Sequence, residues 1–212
     1  MTASTALPPP PGTCRGRARS WLRREGVPLL VMLLLLVVAR SSLANHYHVP
    51  TGSMEPALMP GDRVVVDMRA YGMRVPFTEW TLWPNATPAR GDVVVFRSPS
   101  DGMRLIKRVV AVGGDRVDLV DGHLALAGTP LAAAPGALEM FGDLAVTLNL
   151  DAGGGPDLEG IRVPDGQVLV LGDHRGASVD GRYFGFVPAA SIYGQARGVF
   201  WRSGEGPGWR RL

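Results

Sequence analysis

The chain has 212 residues, of which 46% are hydrophobic and 19% are charged. These fractions are typical of a folded globular protein and exclude an intrinsically disordered chain. The net charge of +3 is unevenly placed: residues 1–26 carry five Arg and one Glu, whereas the rest of the chain has seventeen basic and eighteen acidic residues. The body therefore lacks the basic excess of a nucleic-acid-binding protein, and we expect no nucleic-acid partner.

Cysteine and histidine usage argues against a metal site. Cys14 is the only cysteine, so no intrachain disulfide can form. The chain has four histidines, namely His46, His48, His123 and His174. They lack Cys partners and the helical spacing of metal ligands, so we expect neither a metal nor a cofactor. The sequence gives no indication of an oligomeric state.

The N-terminal region reads as a basic tail followed by an apolar segment. Residues 1–20 are rich in Pro, Arg and Ser and are predicted to be a disordered cytoplasmic tail. The run Val27–Ala39 carries no charge, but as a helix it spans about 20 Å against a hydrocarbon core of roughly 30 Å. Its length allows a cleaved signal peptide, with cleavage after Ala44, or a buried core helix. We favour a retained anchor over residues 21–44, oriented with its N-terminus in the cytoplasm by the preceding arginines.

The next feature is a Pro- and Gly-rich turn from Val49 to Asp62. Its prolines cannot lie inside a helix or a central strand, and its glycines permit backbone shapes that other residues resist. The turn is therefore predicted to be stiff and irregular, with Ser53 displayed at a corner. A hydroxyl displayed in this way can attack an acyl group if a base accepts its proton. An ordinary connector between strands is the alternative interpretation.

The rest of the chain is predicted to form short strands separated by turn residues. The predicted strands cover residues 43–49, 63–68, 93–97, 103–112, 116–120, 123–126, 144–150, 167–171 and 193–201. Asp121-Gly122 is a hairpin signal. The aromatic stretch 70–89, with Trp80 and Trp83, is read either as local packing or as contact with the membrane interface.

These elements predict a mostly β fold class. We expect a barrel-like antiparallel β body made of residues 45–120 and 166–212, the latter ending in a C-terminal tail. A small cap over residues 121–165 is inserted in this body, and one N-terminal transmembrane helix precedes it.

Lys107 is the only lysine among 22 basic residues, and it lies in the apolar run Leu105–Val112. Arginine stays protonated, whereas a buried lysine can lose its proton. Three routes could therefore activate Ser53: a Ser-His-Asp triad using His46, His48 or His174, a pair with Lys107, or a Ser-x-x-Lys arrangement. The alternative interpretation is that a single lysine survived by chance in an Arg-rich sequence. The Ser-x-x-Lys arrangement is absent. Burial favours the Lys107 route, because it disfavours the charged amine.

Four blocks of the chain resemble the type I signal peptidases, membrane-anchored serine proteases with a Ser-Lys dyad. The resemblance spans about residues 40–190. The blocks are Thr51-Gly52-Ser53-Met54-Glu55-Pro56, Arg90-Gly91-Asp92-Val93-Val94-Val95-Phe96, Ile106-Lys107-Arg108-Val109, and the stretch from Gly172 to Pro188. Each block alone is weak, but four blocks in order make a chance match improbable.

The resemblance implies a role for individual residues. It makes Ser53 the nucleophile and Lys107 the general base, with the oxyanion hole formed by the Thr51 hydroxyl and the Ser53 N–H. It also implies that Ser178 orients the lysine. The remaining residues it implicates are the structural ion pair Asp180 and Arg182 and the apolar substrate pockets at Val49, Leu58 and Ile106.

The resemblance also implies a function: removal of signal peptides from exported preproteins, after small residues, at the outer face of the bacterial inner membrane. The implied partners are preprotein signal peptides and the lipid bilayer. His174, Gly176, Ala177 and Gly181 depart from the family's usual Asn, Asp, Asn and Ser. Two alternatives remain: a peptidase dedicated to one substrate such as a pilin or conjugation protein, and a non-catalytic membrane-tethered module that binds extended peptides.

Overall fold

The computed structural model describes residues 21–33, 44–74, 81–83, 86–132 and 136–212. The chain separates into two units, Met1–Arg40 and Ser41–Leu212. In the first unit, the π-helical segment Leu22–Gly26 continues into helical residues 27–33. Within the described ranges, no helix has the length and apolar character needed to cross a membrane. The predicted tail at 1–20 and residues 34–43 of the predicted anchor lie outside these ranges.

The second unit is mostly β, as predicted. Its strands are β1 (Ala44–His48), β2 (Arg63–Asp67), β3 (Met73–Arg74), β4 (Thr81–Trp83), β5 (Val93–Arg97), β6 (Arg104–Val112), β7 (Arg116–Val120), β8 (His123–Leu126), β9 (Thr129–Pro130), β10 (Leu138–Phe141), β11 (Leu144–Thr147), β12 (Leu158–Arg162), β13 (Gln167–Leu171), β14 (Val187–Pro188), β15 (Gly194–Arg202) and β16 (Gly206–Arg211). A four-residue α-helix, Gly181–Phe184, lies between β13 and β14.

The largest sheet is antiparallel and open. Its strand order is β1-β2-β15-β5-β6-β13-β14, and β16 pairs with β15. Among the described strands, β1 and β14 lie at opposite edges and do not pair with each other. The two-residue β14 ends at Pro188, which has no N–H to donate to a further strand. The predicted barrel-like closure is therefore wrong, although the antiparallel arrangement is confirmed.

Valine-rich sequence explains the central strands. β5 reads Val-Val-Val-Phe-Arg and is buried on both faces: Val93 and Val95 pack in one apolar cluster and Val94 and Phe96 in another. The bounds predicted for β5, β7, β8 and β13 are confirmed. Asp121 and Gly122 have φ values of 49° and 81°, as a type I′ hairpin between β7 and β8 requires.

Some strands lack a readable sequence pattern. β12 contains Gly160 with a φ of 58°, and its register with β7 shifts between Leu158 and Ile161, so the period-2 alternation is broken. β16 reads Gly-Pro-Gly-Trp-Arg-Arg and is largely exposed. Neither strand was predicted from the sequence. The alternation of apolar and polar residues that marks a strand arises only where one face of the strand is regularly buried.

The region predicted to be a cap contains two small sheets. One pairs β10 with β11, and the other has the order β12-β7-β8-β9. The second sheet includes β7, which precedes the predicted boundary at residue 121. One apolar cluster joins this sheet to β6 and β13, because Val117, Leu119 and Leu124 pack with Val110 and Leu169. The cap boundaries at 121 and 165 stay a prediction.

A buried ion pair ties β10 to the segment after β13. Arg175 Nη2 donates to Glu139 Oε2 at 2.6 Å, and the two side chains are 1% and 0% exposed. Glu139 Oε1 also accepts from Leu124 N at 2.8 Å, and Arg175 donates to the Gly122 carbonyl. Each charge therefore has its hydrogen-bond partners inside the protein, which buried charges require.

We predict that Glu139→Ala lowers the free energy of unfolding by about 3–5 kcal/mol, because it leaves the buried Arg175 guanidinium unpaired. Urea unfolding of the full chain in detergent measures the change. Glu205→Ala is the control: it removes an exposed carboxylate that pairs with Arg210, and the expected loss is about 0–1 kcal/mol. Equal losses in the two variants would contradict the stabilising role of the buried pair.

Candidate active site

The turn from Val49 to Asp62 is closed by its own backbone. Val49 N donates to Asp62 O at 2.9 Å, and Gly61 N donates to Val49 O at 2.8 Å. Gly61 has a φ of 90°, a conformation that favours glycine. The buried side chains of Met54 and Leu58 hold the turn against the core. The irregular turn predicted from its prolines and glycines is confirmed, and its stiffness stays a prediction.

The buried Asp62 carboxylate holds the end of the turn. It accepts hydrogen bonds from Met59 N at 2.9 Å and from Ser203 N at 3.1 Å. Arg202 Nη2 donates to the same carboxylate at 3.1 Å and to Ala57 O at 3.0 Å. The hairpin between β15 and β16 therefore binds the turn through Arg202 and Ser203 and supports it.

Ser53 and Lys107, which are 54 residues apart in sequence, meet in the structure. Lys107 Nζ donates to Ser53 Oγ at 2.6 Å. Lys107 lies on β6, opposite Val94 of β5, and is 3% exposed. The contact has the distance of a direct hydrogen bond, which is what proton transfer between the two groups needs.

Burial lowers the pKa of Lys107 from its ordinary value of 10.5 to about 8. Desolvation of the ammonium is the largest cause, because the charged form loses its water. The nearby charges of Asp180 and Asp173 act in the opposite direction, and Arg182 acts with desolvation. Desolvation prevails, so an appreciable fraction of this amine is neutral at mildly alkaline pH.

Both of these carboxylates are held by arginines. Arg182 Nε and Nη2 each donate to Asp180 at 2.8 Å, and both side chains are fully buried. Arg108 Nε and Nη2 donate to Asp173 at 2.8 and 2.7 Å, also in the interior. Two bidentate pairs therefore neutralise the negative charge nearest the amine. The pairing of Asp173 with Arg108 was not predicted, although both residues lie in the blocks quoted above.

Thr51 and Ser178, the two residues predicted to assist the serine and the lysine, differ in exposure. Thr51 is exposed, and its Oγ1 is 3.5 Å from Ser53 Oγ. Ser178 is buried, and its Oγ has no hydrogen-bond partner among the described residues. The oxyanion role of Thr51 and the orienting role of Ser178 stay predictions.

The residues predicted to line substrate pockets belong to the core. Val49 and Leu58 are 2% and 0% exposed, and Ile106 is half-buried against the same cluster. Their contact with a substrate stays a prediction. In the part of the chain that the structure describes, no group of three His, Cys, Asp or Glu side chains is arranged to hold a metal ion.

The histidines do not supply a base to Ser53. His174 Nε2 is 2.6 Å from Asp151 Oδ1, and the His46 ring packs edge-on against Phe200. Among the described residues, the side chains that contact Ser53 Oγ by hydrogen bonds are those of Lys107 and Thr51. Of the activation routes considered from sequence, the geometry therefore favours the Ser-Lys pair over the triad.

A family model described as signal peptidase, peptidase S26, matches residues 22–201. The chain belongs to this family. The resemblance noted in the sequence is thereby confirmed.

Individual members of the signal peptidase family support the assignment. A probable signal peptidase I-2 of Synechocystis sp. is 32% identical over 193 residues, covering 86% of this chain and 74% of the relative. The signal peptidase I of Pseudomonas aeruginosa is 33% identical over 210 residues, covering 86% and 73%. A probable signal peptidase I-1 of Synechocystis sp. is 34% identical, covering 82% and 80%.

Gly172 of this signal peptidase family member lies against the nucleophile turn. A Cβ added there would overlap both the Ser178 hydroxyl and the Ser53 carbonyl oxygen. Gly172 N also donates to Asp180 Oδ2 at 2.9 Å. The glycine thus lets the segment after β13 lie directly against the nucleophile turn.

We predict that Gly172→Ala lowers kcat for peptide cleavage by about 10- to 100-fold, because the added methyl group displaces the Ser53 backbone from Lys107. Steady-state kinetics on a cleavable peptide measure the effect. Gly208→Ala is the control, since nothing lies within 4 Å of a Cβ at that position. An unchanged kcat in Gly172→Ala would show that the tight contact does not position the serine.

Proposed function

We propose that this chain cleaves signal peptides from exported preproteins with Ser53 as nucleophile and Lys107 as general base. The observation that carries the proposal is the 2.6 Å hydrogen bond between Lys107 Nζ and Ser53 Oγ, in a setting that lowers the pKa of the amine to about 8. Membership of the signal peptidase family supplies the substrate class.

The neutral Lys107 amine accepts the Ser53 proton as Oγ attacks the scissile carbonyl carbon. The resulting ammonium then protonates the departing amine of the mature protein, so that the C–N bond breaks and an ester to Ser53 remains. Lys107, neutral again, accepts a proton from a water molecule as the water attacks the ester carbonyl. The Lys107 ammonium then returns this proton to Ser53 Oγ as the ester C–O bond breaks, which releases the signal peptide with a free carboxyl group and restores the serine and the neutral amine. One amine therefore serves as base and acid in turn, which requires a pKa close to the working pH.

The oxyanion is proposed to bind the Thr51 hydroxyl and the Ser53 N–H. The 3.5 Å separation of Thr51 Oγ1 from Ser53 Oγ supports this role for the hydroxyl. One well-placed donor contributes about 3–4 kcal/mol to stabilisation of the transition state. Ser178 is proposed to orient the lysine, and Asp180 with Arg182 to support the segment around it.

The substrate is proposed to bind as an added strand. β6 pairs with β5 through Arg104–Lys107, but β13 pairs with β6 only from Arg108 onwards. No strand of the described residues covers the other edge of Arg104–Lys107, which leaves backbone groups for an extended peptide beside the reactive lysine. Small substrate side chains would then face Val49, Leu58 and Ile106.

A membrane location is proposed from the N-terminal sequence. Residues 21–44 would be a single-pass anchor after the cytoplasmic tail 1–20, which places the catalytic core of residues 45–120 and 166–212 and the cap of 121–165 on the extracytoplasmic side. The excess of Arg in residues 1–26 supports this orientation. The bond to be cleaved would then lie close to the bilayer surface.

The deciding experiment is incubation of the purified full chain with a model preprotein, followed by the mass of the products. Cleavage after a small residue at the end of the signal peptide is the expected result. Several unrelated preproteins are included, because cleavage of one alone would favour a dedicated processing peptidase. Peptide binding without any turnover would instead favour a non-catalytic module and overturn the proposal.

We predict that Ser53→Ala and Lys107→Arg each lower the cleavage rate by about 1,000-fold or more. The first variant lacks the nucleophile, and arginine in the second stays protonated and cannot accept the serine proton. The rate of product formation is the measurement. Ser191→Ala, an exposed serine bound to Pro188 O, is the control and should cleave normally. Near-normal cleavage by Lys107→Arg would disprove the neutral-amine mechanism.

We predict that kcat/KM rises with pH and levels off above about pH 8, because the base works only in its neutral form and burial lowers the pKa of Lys107 to about 8. Below that value the rate should fall about tenfold for each pH unit as the amine takes up a proton. Initial rates from about pH 6 to pH 9, with circular dichroism at each pH to show that the chain stays folded, test this. A flat profile would contradict the assignment of Lys107 as the base.

A further inference from the structure

The imidazole of His174 lies between two carboxylates from different parts of the chain. Its Nε2 is 2.6 Å from Asp151 Oδ1, a short hydrogen bond, and its Nδ1 is 3.8 Å from Glu55 Oε2, the distance of an ion pair. The side chain is 12% exposed. Its own backbone N–H donates to the Ser53 carbonyl at 3.3 Å. His174 therefore contacts the nucleophile turn through both its backbone and its ring.

The Glu55 side chain, one of the two carboxylates beside the imidazole, also lies against Gly52, the residue before the nucleophile. Glu55 is three residues after Gly52, and Glu55 N donates to Gly52 O at 3.0 Å. Its side chain folds back over the turn, since a Cβ added at Gly52 would lie 2.5 Å from Glu55 Oε1. One carboxylate oxygen thus lies against Gly52 and the other faces His174, so the ring contacts the turn through Glu55.

The Asp151 side is fixed to the segment that carries His174. Asn149 N donates to Asp173 O at 2.9 Å, and Arg175 N donates to Asn149 O at 3.0 Å. A Cβ at Gly176 would overlap the Ala152 carbonyl. The loop from Asn149 to Gly155 therefore lies directly on the backbone around His174, and Asp151 extends from it over the imidazole.

This loop accounts for two of the departures noted in the sequence. At position 176 only a glycine leaves room for the Ala152 carbonyl. At position 174 a ring spans the distance between Glu55 of the turn and Asp151 of the loop. Nε2 lies within hydrogen-bond distance of Asp151, whereas Nδ1 and the Glu55 carboxylate are in contact at 3.8 Å, beyond hydrogen-bond distance. The two substitutions therefore fit one arrangement of the loop.

We propose that His174 is a positioning residue that links Glu55 of the nucleophile turn to Asp151 of the cap loop and so holds Ser53 Oγ against Lys107. The inference rests on the proposed function, because it concerns the serine of that same site. His174 does not touch the reacting atoms. It acts on the placement of the Ser53 backbone, and its loss should therefore slow the chemical step rather than weaken substrate binding.

The test compares variants of His174 in the full chain on one cleavable peptide. His174→Ala is expected to lower kcat by about 10- to 100-fold with KM within about twofold, the pattern of a misplaced catalytic group. His174→Asn keeps an amide near the Nδ1 position, and His174→Gln keeps one near Nε2. Each is expected to recover part of kcat, since each retains one of the two contacts.

A second variant separates positioning from stability. Asp151 is 70% exposed, so Asp151→Asn should leave the unfolding midpoint unchanged while it weakens the contact to His174. It is expected to lower kcat by about threefold, and Asp151→Ala with His174→Ala should be no slower than His174→Ala alone, because both changes remove one link. Asp143→Asn, an exposed carboxylate on the turn between β10 and β11, is the matched control and should keep normal kinetics.

Three outcomes would overturn the proposal: an unchanged kcat in His174→Ala, a loss confined to KM, or multiplicative losses in the double variant. Ser53→Ala in the same assay distinguishes these from failure of the proposed function. If Ser53→Ala is inactive while the His174 variants cleave normally, only the positioning role is disproved. If Ser53→Ala cleaves normally, the mechanism through Ser53 is itself disproved.

Discussion

The buried amine of Lys107 is the constraint on which the rest of this structure depends. An ammonium that is 3% exposed has lost its water, and that loss outweighs the attraction of two nearby carboxylates. It does so because each carboxylate is already held by an arginine: Asp180 by Arg182 and Asp173 by Arg108. If either arginine were missing, an unpaired negative charge beside Lys107 would favour the protonated amine. The ion pairs of the site thus weaken the attraction that would raise the pKa of Lys107, and they also hold the backbone.

The segment after β13 connects these charges to the nucleophile. Within a few residues it supplies Gly172, which lies against the Ser53 carbonyl, and Asp173, which binds Arg108 next to the reactive lysine. Arg175 in the same segment reaches Glu139 on β10. One short stretch therefore contacts the serine, the strand of the lysine and the small sheets. The serine and the lysine are brought together by a third part of the chain, and their 2.6 Å contact depends on the packing of all three.

Prediction succeeded where local chemistry decides the structure. The local sequence alone predicts a strand from the valines of β5 and a hairpin from Asp121-Gly122. The prolines and glycines of the Val49–Asp62 turn exclude regular structure. Prediction failed where the pairing of distant strands decides the structure, because the local sequence does not indicate whether β1 pairs with β14. The sequence also offered no indication that Glu139 and Asp62 are buried. Each is buried only because an arginine distant in sequence supplies its hydrogen bonds, and the sequence does not say which arginine that is.

The sequence by itself determined the chemistry available to this protein: a serine on a rigid turn, a single lysine in an apolar run, and four blocks in the order of the signal peptidases. These are properties of residue types and spacing, which can be read from the sequence without coordinates. Only the tertiary structure decided that Lys107 Nζ reaches Ser53 Oγ, that arginines neutralise the neighbouring carboxylates, and that His174 lies between Glu55 and Asp151. The physical reason is that the distance for proton transfer and the shifted pKa of Lys107 depend on groups that are far apart in the chain. Folding buries these groups together, away from water.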